Sequence, residues 1–107
     1  MKQITSEEFT SEVLESPIPV IVDFFTEQCP PCHTMSPVIE EVERGSGGTL
    51  KVVKINASGE SGLAAAFRVN TVPTFLLFRG GEQIAQFIGV RSKREVERWI
   101  EDSLRRQ

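Results

Sequence analysis

The chain has 107 residues, 39% of them hydrophobic and 25% charged, with a formal net charge of −3. That length suits a single domain, residues 1–107, with enough apolar residues for one core. No apolar run approaches the roughly 18 residues that a spanning helix requires, and no basic stripe supports phosphate contacts, so neither membrane nor nucleic acid is expected as a partner.

The start, Met1 to Glu8, lacks the apolar core of a signal peptide, and a cytoplasmic location is expected. Residues 2–4 read as a short edge strand. Thr5 to Glu15 reads as one helix: Thr5 is a good N-cap, Glu8 completes a capping box, and Ile4 and Phe9 occupy the staple positions around them. Phe9, Val13 and Leu14 would face inward. The two prolines of Ser16-Pro17-Ile18-Pro19 end the helix. Val20 to Thr26 is too apolar for a half-exposed strand and reads as an interior one.

After Glu27-Gln28 come Cys29-Pro30-Pro31-Cys32, and the period then changes. Met35, Val38, Ile39 and Val42 share one side of a helix from Pro30 to Arg44. Pro37 removes a hydrogen bond to the His33 carbonyl and predicts a kink. Gly45 to Gly48 is a loop, and Leu50 to Asn56 a second interior strand, parallel to the first through a right-handed crossover. Ser58 to Phe67 reads as a short helix with Leu63, Ala64 and Phe67 inward. Thr74 to Phe78 and Gln83 to Ile88 are strands joined at Gly80-Gly81, which suit the positive φ angles of a tight hairpin. Ser92 to about Arg105 is the closing helix, with a capping box at Ser92 and Glu95 and an inner stripe of Val96, Trp99, Ile100 and Leu104. The order β-α-β-α-β-α-β-β-α predicts an α/β fold, a central mixed sheet of four to five strands flanked by about four helices.

Both cysteines of the chain stand where a strand gives way to a helix. The start of a helix carries unpaired N–H groups and a partial positive charge. A thiolate there is stabilised, so Cys29, nearest the helix end and expected to be the exposed member, is the candidate nucleophile. Cys32 lies about one turn on, within reach of a disulfide, and is the candidate resolving thiol. In a reducing compartment a lone close pair is redox-active or metal-binding more often than structural. Pro30 suits the first helical turn, yet Pro30 and Pro31 both withhold N–H donors from the sulfur, which should leave Cys29 less acidic than a glycine there would. Asp23 sits inside an apolar strand. If it is buried its pKa should rise, and it could take the Cys32 proton through a water; otherwise it is a strand-end carboxylate bonded to backbone or solvent. Lys54, on the neighbouring strand, would either offset that rise or be solvated. His33 reads as solvated, Trp99 as core, and the charges of the last helix as a wet face. Val72-Pro73 reads as trans on frequency alone.

The run Val22-Asp23-Phe24-Phe25, then Cys29-Pro30-Pro31-Cys32, Pro37, Lys54-Ile55-Asn56, Val72-Pro73-Thr74-Phe75, Gly80-Gly81 and Gly89 resembles the thioredoxin family in order and over nearly the whole length. The resemblance implies a thioredoxin fold and dithiol–disulfide exchange on protein disulfides. It implies catalytic roles for Cys29, Cys32 and Asp23, and no cofactor beyond a Cys29–Cys32 disulfide. Electron transport would run from a separate reductase to protein substrates, in cell redox homeostasis, with the chain a monomer. It makes Val72-Pro73 a cis-proline loop facing the cysteines, with the Val72 backbone free to pair with an extended client segment, and it puts Gly89 on the same docking face. Two positions depart from the family pattern: Gln28 stands where a tryptophan lines the docking face, and Pro30 where a glycine is usual. Gln28 motivates an alternative, a reductant or isomerase with one narrow client. A metal- or cluster-binding module built on Cys29, Cys32 and His33 would need a fourth ligand for a structural zinc site. A non-catalytic interaction domain is a further alternative.

Overall fold

The structure, a computed structural model, describes residues 1–106. Among these residues five strands form one mixed sheet: β1 (Lys2–Gln3), β2 (Val20–Phe25), β3 (Lys51–Asn56), β4 (Thr74–Arg79) and β5 (Glu82–Ile88). Their spatial order is β1-β3-β2-β4-β5. β3 is parallel to both β1 and β2, whereas β4 is antiparallel to β2 and to β5. Three α-helices cover the sheet, α1 (Pro30–Gly45), α2 (Ser61–Ala66) and α3 (Lys93–Arg105), and helical turns over the N-terminal stretch supply a fourth. This is the thioredoxin fold expected from the sequence. No helix among the described residues is long and apolar enough to cross a membrane.

The sheet separates two apolar layers, and strand parity decides which side chain enters which. Val20, Val22 and Phe24 face one way and join Phe9, Val13, Ile55, Leu76 and Phe78 beneath the N-terminal turns and α2. Ile21 faces the other way and joins Met35, Ile39, Val52, Phe75, Leu77 and Val96 beneath α1 and α3. Asp23 and Phe25 share the parity of Ile21, so Asp23 is aimed at α1. In β3, Lys54 shares the parity of Val52 and lies opposite Asp23 in the β2–β3 register.

Several boundaries differ from expectation. The helix predicted over Thr5 to Glu15 is split into a 3₁₀ turn, Ser6–Glu8, and a wide π turn, Thr10–Leu14. Thr10, Ser11 and Val13 are weak helix formers, and the segment is held by its anchors instead. The predicted capping box forms, and Ile4 and Phe9 are both buried. The helix expected from Ser58 begins only at Ser61, because the Asn56 side-chain oxygen accepts the Ser58 N–H at 3.0 Å and holds the intervening residues as a turn. The strand expected to reach Thr26 ends at Phe25, and α1, which holds Pro37 inside it as expected, ends at Gly45, one residue beyond Arg44. Trp99 packs against the core as expected but is only half-buried, set edge-on to Phe87 at 4.8 Å. Val72-Pro73 is cis, as the resemblance implied and frequency did not.

Candidate active site

The end of β2 delivers the chain to α1 through Thr26, Glu27 and Gln28. Cys29 is the N-cap of α1, extended at φ −140° and ψ 96°, and Pro30 and Pro31 fill the first helical positions. Neither proline has an N–H to offer. The first amide that can serve the cap is that of Cys32, and it donates to Cys29 Sγ at 3.2 Å. The two sulfurs are joined in a disulfide with the Cα atoms 5.2 Å apart, so the structure is the oxidised form. Both cysteines are buried, Cys29 to 6% exposure and Cys32 to 8%. This corrects the expectation that Cys29 is the exposed member. Its Sγ is turned onto the helix end, where it meets both the Cys32 amide and the Cys32 sulfur.

His33 is exposed, as expected, but its ring is engaged: Nε2 lies 2.8 Å from the Glu27 carbonyl oxygen, to which it donates. That bond ties the first turn of α1 to the loop ahead of the cysteines.

Asp23 is 4% exposed, which excludes the solvated strand-end reading. Burial pushes its carboxyl up to about 7, and the nearby Lys54 ammonium pulls weakly the other way. Lys54 also lies over the Phe25 ring, Nζ 4.4 Å from the centroid, so it is not a free surface lysine. Asp23, Cys32, His33, Ser36, Phe25 and Lys54 line a common cavity of about 200 Å³. A polar-lined space of that size has room for water. A buried carboxylate that titrates near neutrality can therefore exchange a proton with the inner cysteine through solvent.

Two further loops reach the same end of the sheet. Thr74 pairs with Phe24 on one side and with Ile88 on the other, so the start of β4 and the end of β5 stand beside the end of β2. Pro73 is buried and Val72 half-buried. The Gly89 N–H donates to the Pro73 carbonyl at 3.0 Å, and Gly89 holds φ at 92°, a left-handed conformation that suits glycine. Gln28, Pro30 and Pro31 are exposed around the disulfide. The candidate catalytic and docking residues named from the sequence thus lie at this end of the sheet or in the cavity below it. Two that were not singled out are Ile88 and Val90, the large exposed apolar side chains flanking Gly89 at 50% and 57% exposure. The signal was present: apolar residues on both sides of a strand-end glycine. Among the described residues, no group of three or more His, Cys, Asp and Glu side chains is placed to hold a metal ion.

Comparison with known proteins agrees with this geometry. The family model described as Thioredoxin matches residues 1–102. A thioredoxin of Rickettsia felis is 37% identical over 101 residues, 94% of this chain and 96% of that protein. Thioredoxin 1 of a Nostoc species is 33% identical, covering 95% of each chain. A probable thioredoxin-2 of Caenorhabditis elegans is 40% identical over 92% of this chain and 68% of its own length.

Proposed function

The chain belongs to the thioredoxin family and is a thiol–disulfide oxidoreductase; from that premise we propose that it reduces protein disulfides with Cys29 as nucleophile, Cys32 as resolving thiol and Asp23 as proton acceptor. In the reduced form the Cys29 thiolate attacks one sulfur of a client disulfide. The client S–S bond breaks, one client thiolate leaves and takes a proton, and a mixed disulfide forms on Cys29. Cys32 then gives its proton to ionised Asp23 through the shared cavity, and its sulfur attacks Cys29 Sγ. The second client thiolate leaves. Two electrons have passed to the client, and the Cys29–Cys32 disulfide is the product. Holding both sulfurs in one turn makes the second attack intramolecular, which favours it over escape of the mixed disulfide.

Lys54 tunes Asp23. Gln28, Pro30, Pro31, Val72, Pro73 and Gly89 form the surface on which the client lies, and the Val72 backbone pairs with an extended client segment. A separate reductase returns two electrons and two protons to the pair, and the protein works as a cytoplasmic monomer in electron transport. No resident cofactor or metal enters the cycle.

The observation that carries this reading is the cavity shared by Asp23 and Cys32 beneath a disulfide that closes the start of α1. Turnover of a protein disulfide should vanish in Cys29→Ser. In Cys32→Ser, clients should accumulate as mixed disulfides on Cys29, visible as adducts that a reductant releases. Full activity in Cys29→Ser, or client adducts on Cys32 in Cys29→Ser and none on Cys29 in Cys32→Ser, would overturn the assignment. The exposure of Gln28 favours a narrow-client version of the same chemistry, in which one partner is reduced far faster than general disulfides.

A further inference from the structure

Beside the disulfide, on the side away from Ile88 and Val90, two open cavities of about 260 and 310 Å³ meet at Thr26 and Ser58. The first runs from Gln28 past Asn56, and the second continues past Ser61 to Thr71 and Val72. Together they form one trough that starts next to Cys29 and ends at the residue before Pro73. Its rim is hydroxyl and carboxamide, its floor is small and apolar at Ala57, Ala64 and Val69, and Glu27 is the one charged residue on its wall. Asn56 spends its carboxamide oxygen on the Ser58 and Gly59 amides, which leaves its NH₂ end unspent. Among the described residues, no side-chain hydroxyl of Thr26, Ser58, Ser61 or Thr71 is committed to a hydrogen bond with the protein.

We propose that this trough is a specificity subsite that reads an uncharged hydrogen-bonding side chain, such as Asn, Gln, Ser or Thr, on one flank of the client cysteine. The inference rests on the disulfide-reductase reading and extends it to the class of client. The trough ends at Thr71 and Val72, so an extended segment paired with the Val72 backbone would enter it, and the occupant is the client chain itself. A client laid over these free donors and acceptors takes them out of water, which favours a partner that satisfies them over an apolar one that strands them. A single carboxylate and no cation on the wall select against an acidic residue. Across the disulfide, exposed Ile88 and Val90 favour the opposite polarity. The site is therefore directional: apolar on one flank of the client cysteine, polar and uncharged on the other. Gln28 belongs to the device because it supplies a hydrogen-bonding rim at the end nearest the sulfur.

The test uses the reduced full chain and a panel of synthetic peptide disulfides in which each position flanking the cysteine carries in turn Asn, Leu or Glu. A small non-peptide disulfide serves as the control. On one contiguous flank, Asn peptides should be reduced about fivefold faster than Leu peptides, with Glu slowest. In Ser58→Leu and Ser61→Leu that ratio should fall toward one, and Ser61→Thr should retain it. Both serines are exposed, so these variants should fold. No preference for Asn on either flank, or a preference that survives both leucine variants, overturns the trough. Failure of Cys29-dependent reduction of the small disulfide would instead overturn the redox reading, which keeps the two failures apart.

Discussion

Asp23 destabilises the protein that it serves. Its carboxyl lies at about 7 in the fold against an ordinary value of 3.8 because burial opposes the charge. Between those two pH values the folded chain holds a proton that the unfolded chain has lost. Stability therefore falls as pH rises through that window and levels off above it, at a cost of roughly 4 kcal/mol. The return is chemical: above neutrality the carboxylate is ionised beneath Cys32 and can accept its proton. Asp23→Asn should remove both effects. Denaturant melts at pH 8 should show the variant about 2–4 kcal/mol more stable than the parent, without the parent's loss of stability as pH rises toward 7. Release of client from the mixed disulfide should slow about a hundredfold and lose its pH dependence near 7. A variant that is less stable at pH 8 would show that the ionised carboxylate is no burden on the fold, and one that releases client at the parental rate would remove Asp23 from the mechanism.

At the scale of the element, α1 sets the character of the nucleophile. Its N-cap is a sulfur, its first two helical residues lack N–H groups, and Cys29 Sγ is left with one amide donor, that of Cys32. Pro30→Gly would add an N–H at the positive end of the helix. The Cys29 thiol in the reduced protein should then become more acidic by about half a pH unit. Thiolate absorbance in a pH titration measures this directly, and an unchanged or raised midpoint would show that the prolines do not govern the thiol. Much of this element was legible in the sequence, since Met35, Ile39 and Val42 carry the helical period and the cysteines mark its start. The register that sets Lys54 opposite Asp23 was expected only as proximity. Local patterns failed where a tertiary or side-chain bond decided the outcome. Asn56 captured the amides that would have extended α2, and anchoring of Phe9 turned the N-terminal helix into two unlike turns. The burial of Cys29 was not legible either, because it follows from the disulfide and the Cys32 amide bond.

Over the whole molecule, the sheet puts one of its two apolar layers on the face away from the site. Phe9, Phe67 and Phe78 pack as a triad with ring centroids 5.3–5.7 Å apart on the face away from Asp23. Phe75, stacked on Phe87 at 4.6 Å and paired with Asp23 across β2 and β4, lies on the face that α1 and α3 cover. Trimming the first layer should loosen the fold without moving the site, because β2 and its neighbours hold Asp23 through backbone pairing on both sides. Phe9→Leu should cost about 1–2 kcal/mol and lower the melting temperature by about 5–10 °C. At 25 °C the reduction rate per folded molecule should stay within about twofold of the parent, because so small a loss leaves nearly every molecule folded. Calorimetry and a client-reduction assay on the same preparation measure the two quantities together. A rate that drops in proportion to stability would mean that the two layers are coupled through the sheet, and that the position of Asp23 depends on packing against both of its faces.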